Sequence, residues 1–255
     1  MAMLAAPGAT LHLQALGPAA ALRPAVVMAH GLFVGTLASW YFTAAPALAR
    51  ERRVLTYDLR GHGKSARVRD GYDVPSMARD LGAVATEAGA APFDLVGHSY
   101  GALVALRFAL DHPGRVRRLV LVEAPLPPSR FREIEDFGGR SPEDMAASLP
   151  EALRGALASG GRRATRLVES LRFLAQDTTL LADLGREPDV ADDELRCLAP
   201  PLLCVYGARS RCRDVGDRLA RVVPGARLAV LDAGHFLPLE APAELTRLIV
   251  EFLDG

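Results

Sequence analysis

Gly97-His98-Ser99-Tyr100-Gly101 places a serine between two glycines, each two residues away. Residues 93–96 before it have the pattern of a short apolar strand, and residues 102–110 after it have the pattern of a helix. A serine on so sharp a strand-to-helix turn is held in strained backbone, and flanking glycines leave room for the strand and helix to pass closely. This context predicts that Ser99 projects its hydroxyl as a nucleophile, although the same pentapeptide could mark an ordinary loop.

The elements needed to hold such a serine recur along the chain. Apolar runs typical of β-strands alternate with helical stretches, which predicts a mostly parallel sheet covered by helices on both faces. The predicted strands span residues 11–16, 25–29, 53–57, 93–96, 119–122, 202–206 and 227–231. The predicted helices lie near residues 36–49, 75–88, 101–111, 213–222 and 242–253. With 255 residues, half of them apolar, we expect a single α/β domain over residues 1–255.

The alternation of strands and helices stops between about residues 126 and 195, where Pro, Arg, Glu and Gly become frequent. We therefore predict an inserted helical lid in this region. Within it, Leu167, Leu171 and Leu174 recur at helical spacing on one face. This pattern favours leucines that dock the helix on the main domain over a dedicated acyl-binding stripe, and both roles can hold together.

Charge and cysteine content exclude several classes. Thirty basic and thirty acidic residues cancel, so no overall field would attract nucleic acid or an anionic membrane. The first residues lack a basic leader before a continuous apolar stretch, and no run approaches the length of a membrane-spanning helix, so we expect a soluble, cytoplasmic protein. Cys197, Cys204 and Cys212 are odd in number and show no paired short spacings, which favours neither a disulfide framework nor a zinc site.

Three further motifs accompany residues 97–101. His30-Gly31-Leu32-Phe33 follows one apolar strand, residues 58–65 (DLRGHGKS) follow the next, and Gly234-His235-Phe236 follows the last. With these motifs the chain resembles the α/β-hydrolase family from about residue 11 to residue 253. The resemblance implies that fold, with its central sheet, helices on both faces and a lid, and a reaction that requires no metal or organic cofactor.

The resemblance also assigns roles. It implies that His235, in a loop between the last strand and a helix, is the general base for Ser99, although a lone loop histidine is usually an ordinary solvated residue. It implies that the backbone N–H groups of Leu32 and Tyr100 form an oxyanion hole, because acyl transfer develops negative charge on the carbonyl oxygen. His30, His62 and His98 are expected to hydrogen-bond backbone and take no part in the chemistry.

The triad acid departs from the commoner family pattern. Most relatives carry it in a Gly-x-x-Asp arrangement after the penultimate core strand, where residues 207–210 here are Gly-Ala-Arg-Ser. Our candidate is Glu123, at the end of the strand after the nucleophile helix, since some family members carry their acid there and this strand end lies beside the elbow. Asp214 is the rival, and the absence of any acid is the third alternative. Asp232 is expected only to end its strand.

These assignments predict a serine hydrolase that cleaves an ester or thioester of a largely apolar acyl substrate through an acyl-enzyme intermediate. A serine at residue 99 argues against a dehalogenase or an epoxide hydrolase, which use aspartate there. A carbon–carbon hydrolase, a cofactor-free oxygenase on the same fold and a non-catalytic hydrolase-like binding protein are the alternatives.

The expected partner is a small-molecule acyl substrate, with a CoA-bound or carrier-protein-bound form as an alternative. Residues 154–172 hold five arginines against one glutamate, which could meet a phosphopantetheine group or an acidic carrier protein. A solvated helix face explains the same arginines. Neither nucleic acid nor a membrane is an expected partner.

Overall fold

A computed structural model describes residues 2–126, 136, 138–149, 154 and 161–255. Eight strands form one sheet in the order β1-β2-β4-β3-β5-β6-β7-β8. They are β1 (Ala2–Ala6), β2 (Ala9–Leu16), β3 (Val26–Ala29), β4 (Val54–Tyr57), β5 (Phe93–His98), β6 (Val116–Val122), β7 (Leu202–Gly207) and β8 (Arg227–Leu231). β2 pairs antiparallel with β1 and β4, and the pairs from β4 onward are all parallel.

Helices cover both faces of this sheet. They are α1 (Ala38–Tyr41), α2 (Ala44–Leu48), α3 (Val74–Glu87), α4 (Tyr100–Asp111), α5 (Pro142–Ala147), α6 (Arg162–Gln176), α7 (Leu180–Leu184), α8 (Asp192–Arg196), α9 (Arg213–Val222), α10 (Leu237–Glu240) and α11 (Pro242–Asp254). α3, α4 and α9 contribute to the core on one face, whereas α1, α2 and α11 contribute to the core on the other. The predicted α/β-hydrolase architecture of the sheet is therefore confirmed.

The central strands are buried on both faces. In β3, Val27 packs into one core and its neighbours Val26 and Met28 pack into the other, because successive side chains of a strand point to opposite faces. All four residues of β3 and all six of β5 are buried. This explains why β3 is a continuous apolar run without polar alternation. Their carboxyl ends meet at one edge of the sheet, where the predicted motifs lie.

The seven predicted strands are present, with ends shifted by at most three residues. β1 was not predicted, because its small residues show no clear alternation and most are exposed. It forms an antiparallel hairpin with β2, in which Ala6 pairs with Ala9. The single helix predicted for residues 36–49 is two short helices. The helix breaks at Thr43, which has φ −119° and ψ −100° and donates its hydroxyl to the Ser39 carbonyl at 2.6 Å.

The described part of the segment between β6 and β7 contains the helices α5 to α8, joined by turns and loops. The lid predicted for residues 126–195 falls partly outside the described residues, and its role stays a prediction. Leu171 and Leu174 on α6 are buried in the core and Leu167 packs against it, which agrees with leucines that dock this helix. Of the helices in the described ranges, none combines the length and apolarity required to cross a membrane.

Candidate active site

Ser99 lies at the turn between β5 and α4 with φ 53° and ψ −123°, a conformation that side chains with a Cβ rarely adopt. The two glycines of the motif allow this turn. A Cβ atom on Gly97 would lie 2.4 Å from the Gly101 carbonyl oxygen, and one on Gly101 would lie 2.4 Å from the His30 carbonyl oxygen. The strand and the helix therefore approach each other as the sequence predicted, and the serine sits at the end of a buried strand.

His235 and Glu123 form one hydrogen-bonded chain with this serine. The Ser99 hydroxyl donates to His235 Nε2 at 2.9 Å, and His235 Nδ1 donates to Glu123 Oε2 at 2.9 Å. Glu123 is fully buried, whereas His235 retains 31% exposure of its side chain. An imidazole bonded in this way has a free lone pair toward the serine and a fixed tautomer, which is the arrangement needed by a general base.

Glu123 reaches the histidine from the end of β6, the strand next to β5 in the sheet. Its backbone has φ 56°, a left-handed conformation, and its amide donates to the Val205 carbonyl at 3.0 Å. Its side chain accepts from two groups at and beyond the end of β7: the amide of Gly207, the last residue of that strand, donates to Oε1 at 2.5 Å, and the Ser210 hydroxyl donates to Oε2. Three donors therefore satisfy and orient a carboxylate that has no access to water.

The structure brings Glu123, and not Asp214, to the histidine. Asp214 is exposed in the first turn of α9, where an acidic side chain interacts favourably with the helix dipole. Ser210 occupies the place where the family pattern led us to look for the acid, and it donates to the acid that comes from β6. This role of Ser210 as a donor to the acid was not predicted from the sequence. The serine at the end of the Gly-x-x-Ser stretch was the signal that could have indicated it.

His98, next to the serine, holds the histidine loop. Its Nε2 donates to the His235 carbonyl at 2.9 Å, and the centres of the two rings are 5.4 Å apart. Burial, followed by the proximity of His235, lowers the pKa of His98 to about 3. His98 is therefore neutral at ordinary pH, and it contributes a hydrogen bond without adding a second positive charge beside the base.

Two further buried histidines support the loop after β3. His62 Nε2 accepts from the Phe33 amide at 3.0 Å while its Nδ1 donates to the Arg60 carbonyl at 2.8 Å. His30 Nε2 accepts from the Leu59 amide at 3.0 Å. Burial is the main reason that the pKa of each ring is lowered, to about 3 for His62. Both therefore act as neutral backbone partners, and the bond to Phe33 supports its left-handed φ of 63°.

Asp58 and Arg60 also hold loops in place, each through a separate set of partners. Asp58 accepts from the amides of Leu37 at 2.7 Å and Lys64 at 2.9 Å. Arg60 forms a two-pronged ion pair with Asp80, with both N–O distances 2.8 Å.

A cavity of about 550 Å³ opens beside Ser99 and His235. Much of its lining is apolar and includes Leu32, Phe33, Val34, Leu149, Phe236 and Leu239. The loop before Leu32 lies against the serine, since a Cβ on Gly31 would be 3.0 Å from Ser99 Cβ. Tyr100 directly follows the serine, and its buried side chain donates to the Tyr72 carbonyl at 2.5 Å. Tyr100 is thus the chain neighbour of Ser99 and Leu32 lines the same cavity, and the oxyanion-hole role of both stays a prediction.

Cys212 contributes an unexpected thiol to this site. Its sulfur, a ring nitrogen of His235 and a carboxylate oxygen of Glu123 lie within 4.8 Å of one another. Cys212 is 6% exposed and lines the cavity, whereas Cys204 is buried in the core and Cys197 is exposed. The cysteine spacing could not reveal this cluster, because its members come from three distant parts of the sequence.

Comparison with known proteins agrees with this architecture. A family model described as the alpha/beta hydrolase fold matches residues 24–159, more than half of the chain. The chain is 30% identical to the sn-1-specific diacylglycerol lipase ABHD11 of Mus musculus over 264 aligned positions, which cover 91% of this chain and 82% of that protein. It is 41% identical over 115 residues to a protein of Variovorax paradoxus named as the carbamate hydrolase RutD, where the match covers 45% of this chain and only 42% of the relative.

A solved structure of a hydrolase from Pseudomonas aeruginosa PA01 superimposes with a TM-score of 0.79 at 26% identity. The superposition covers 99% of this chain and 98% of that chain. The match to the family model, the similarity to ABHD11 over 91% of this chain and the sheet with its serine turn agree with one another. This chain belongs to the α/β hydrolase family of enzymes.

Proposed function

We propose that this chain is a serine hydrolase that cleaves an ester or a thioester of a largely apolar acyl substrate through an acyl-enzyme intermediate. The observation that carries this proposal is the hydrogen-bonded chain from Ser99 through His235 to Glu123, with 2.9 Å at each step. The names of the relatives, a diacylglycerol lipase and a carbamate hydrolase, support attack on a carbonyl carbon.

In the proposed reaction, Ser99 Oγ attacks the substrate carbonyl while His235 Nε2 takes the hydroxyl proton. Glu123 stabilises the imidazolium that results and keeps Nδ1 protonated. The backbone amides of Leu32 and Tyr100 would stabilise the negative charge on the carbonyl oxygen. His235 then gives the proton to the leaving group, and water, activated by the same nitrogen, hydrolyses the acyl-enzyme and restores Ser99.

The lining of the cavity supports an apolar acyl group. Leu32, Phe33, Leu149 and Phe236 would bury hydrocarbon beside Ser99. Each methylene removed from water contributes roughly 0.8 kcal/mol. We therefore expect kcat/KM to rise with acyl length until the cavity of about 550 Å³ is filled.

A second cavity favours the thioester form of this function. It has a volume of about 420 Å³, shares residues 33–36 with the first, and is lined by Arg67 and Arg166 among others. Both guanidinium groups lie on exposed residues and could bind the phosphates of CoA or of a phosphopantetheine arm. An Arg67→Ala/Arg166→Ala variant should raise KM for acyl-CoA while leaving KM for uncharged nitrophenyl esters near that of the wild type.

The test is a chain-length series of nitrophenyl esters run beside acyl-CoA thioesters of the same chains. Ser99→Ala should abolish turnover of both, retain the circular dichroism of the folded protein and lose labelling by a fluorophosphonate probe. Wild-type protein that is folded but neither hydrolyses these substrates nor reacts with the probe would refute the proposal. Activity that requires molecular oxygen would instead favour the oxygenase alternative.

A further inference from the structure

Cys212 stands beside two members of the proposed triad without a part in the hydrolytic mechanism. Its Sγ, a carboxylate oxygen of Glu123 and a ring nitrogen of His235 lie within 4.8 Å of one another. His235 Nδ1 is the nitrogen that faces the carboxylate, at 2.9 Å from Oε2. Glu123 is fully buried, and Cys212 lines the cavity through which a small ion could enter.

A thiolate, an imidazole and a carboxylate are all ligands of Zn²⁺, and three protein ligands with one open position is a common zinc arrangement. Zinc bonds to nitrogen and oxygen of about 2.0–2.1 Å at a tetrahedral angle separate these two atoms by roughly 3.4 Å. The observed separation of 2.9 Å between Nδ1 and Oε2 would therefore need to open only slightly. Hard ions such as Mg²⁺ require more oxygen ligands than this cluster supplies.

We propose that Cys212, His235 and Glu123 form a binding site for Zn²⁺ and that zinc bound there switches the enzyme off. The binding part is independent of the proposed function, and the inhibition part rests on it. The Cys212 thiol loses its proton to solvent and forms a Zn–S bond. Zinc takes the place of the Nδ1 proton, which passes to Nε2. An imidazole protonated on Nε2 cannot accept the Ser99 proton, so the general base is lost.

The groups around this cluster favour a preformed site. Ser210 and the Gly207 amide already orient the Glu123 carboxylate, and His98 holds the loop of His235 through its carbonyl. Such outer partners fix the ligands of a metal site and reduce the movement needed on binding. Ser210 also accepts from the Cys212 amide at 3.1 Å, which ties the thiol-bearing residue to the same network.

Direct binding is tested with Co²⁺ as a spectroscopic probe. Wild-type protein titrated with Co²⁺ should develop a thiolate-to-cobalt charge-transfer band in the near ultraviolet, and Zn²⁺ should abolish it because it binds such ligands more tightly. Cys212→Ser should lose the band, whereas Cys197→Ser and Cys204→Ser should keep it. Cys212→Ala provides a second variant, with circular dichroism of each to verify folding. Absence of the band in wild-type protein, or its persistence in folded Cys212 variants, would overturn the proposal.

Inhibition is tested on the nitrophenyl ester that the enzyme hydrolyses best, with each variant normalised to its own metal-free rate. Saturating Zn²⁺ should lower kcat by on the order of 10⁴, the effect of a triad histidine in the wrong tautomer, and a chelator should restore it. Cys212→Ser should raise the half-inhibitory zinc concentration at least about 100-fold, since even outer-partner losses weaken metal sites 10–100-fold. Mg²⁺ should not inhibit. Equal zinc inhibition of wild type and Cys212→Ser would contradict the inferred site even where the hydrolase proposal holds.

Discussion

Ser99, Glu123 and Phe33 share an unusual backbone conformation. Among the described residues, they are the non-glycine positions with left-handed φ, at 53°, 56° and 63° respectively. Each such conformation costs about 1–3 kcal/mol and persists only where its surroundings enforce it. Phe33 and Ser99 line the cavity, Glu123 is the buried acid, and the backbone amide of each forms a hydrogen bond with a neighbouring element. Backbone strain is therefore concentrated where the proposed chemistry takes place.

The role of the acid can be tested by one isosteric change. Glu123→Gln keeps the shape of the side chain but can no longer fix the Nδ1–H tautomer of His235, so kcat should fall on the order of 10⁴-fold. Asp214→Asn, a surface change by comparison, should leave kcat within a few-fold of the wild type. Steady-state kinetics on a nitrophenyl ester measure both. The assignment is wrong if the Asp214 variant shows the large loss and the Glu123 variant does not.

Ser210 should contribute less to catalysis than Glu123, the acid to which it donates a hydrogen bond. Ser210→Ala removes one of three donors to a buried carboxylate, and a hydrogen bond to a charged group contributes about 1.5–3 kcal/mol. We expect urea denaturation to show a loss of this size in the free energy of unfolding. The fall in kcat should be smaller than for Glu123→Gln, because Nδ1 retains its acceptor. A Ser210→Ala protein with unchanged stability would show that the hydroxyl bond contributes nothing.

The family resemblance and the strand order together brought Ser99, His235 and Glu123 forward as candidates, with Asp214 as the rival acid, and the structure joins the first three in one hydrogen-bonded chain. Glu123 was a candidate because some family members carry their acid after this strand and because the ends of adjacent parallel strands lie together. The hydroxyl bond from Ser210 and the approach of Cys212 were not predicted. Both depend on the path of residues 207–212 and on rotamers, which no motif specifies.

At the scale of elements, α4 packs closely against the end of β3, next to β5. The importance of this contact can be tested with alanine substitutions at two glycines, one in the contact and one outside it. A Cβ on Gly101 would lie 2.4 Å from the His30 carbonyl oxygen and 2.8 Å from that of Ala29. Gly101→Ala should therefore destabilise the protein by about 1–3 kcal/mol and lower activity, because the turn carrying Ser99 must shift.

Gly82→Ala is the control for that experiment. Gly82 lies inside α3, and its added Cβ would have the Phe108 ring as nearest neighbour at 3.7 Å, an ordinary contact. Alanine in a helix interior is favoured over glycine by about 0.5–1 kcal/mol, so this variant should be slightly more stable and fully active. Urea denaturation of both proteins gives the comparison, and equal effects would mean that the close approach at Gly101 is not a constraint.

The elements themselves differed in how well sequence predicted them. Buried parallel strands were found because an apolar run between turn residues is a strong pattern. β1 was not predicted, because its position depends on pairing with β2 and its own residues show no strand pattern. The short helices α5, α7 and α8, of five or six residues each, carry too few turns to show helical periodicity.

For the whole molecule, the buried neutral histidines predict how stability depends on pH. The pKa of His62 is lowered to about 3 in the folded protein from an ordinary value of 6.5. Between these values the unfolded chain binds a proton that the folded protein does not. The free energy of unfolding should therefore fall as pH decreases from about 6.5 toward 3. Above pH 6.5 the ring is neutral in both states, so no stability is lost there through protonation of His62.

Replacing His62 by glutamine isolates this effect, because the amide can still accept from Phe33 but does not titrate. Urea denaturation at pH 7.5 and pH 5 should show a smaller decrease for His62→Gln than for the wild type. His30 and His98, whose pKa values are also lowered by burial, should maintain part of the dependence. An identical decrease in both proteins would mean that His62 is not protonated on unfolding.

The sheet fixes the positions of Ser99 and Glu123 more firmly than that of His235. Ser99 and Glu123 follow adjacent strands whose register runs from Asp94 and Arg118 to His98 and Val122, so main-chain bonds set their spacing. His235 instead follows β8, the strand at the edge of the sheet, which among the described strands pairs with β7 alone. Fraying there would carry the base away while nucleophile and acid stay in register. A local opening of β8 would thus abolish activity without unfolding the rest of the sheet, and activity would return once β8 pairs with β7 again.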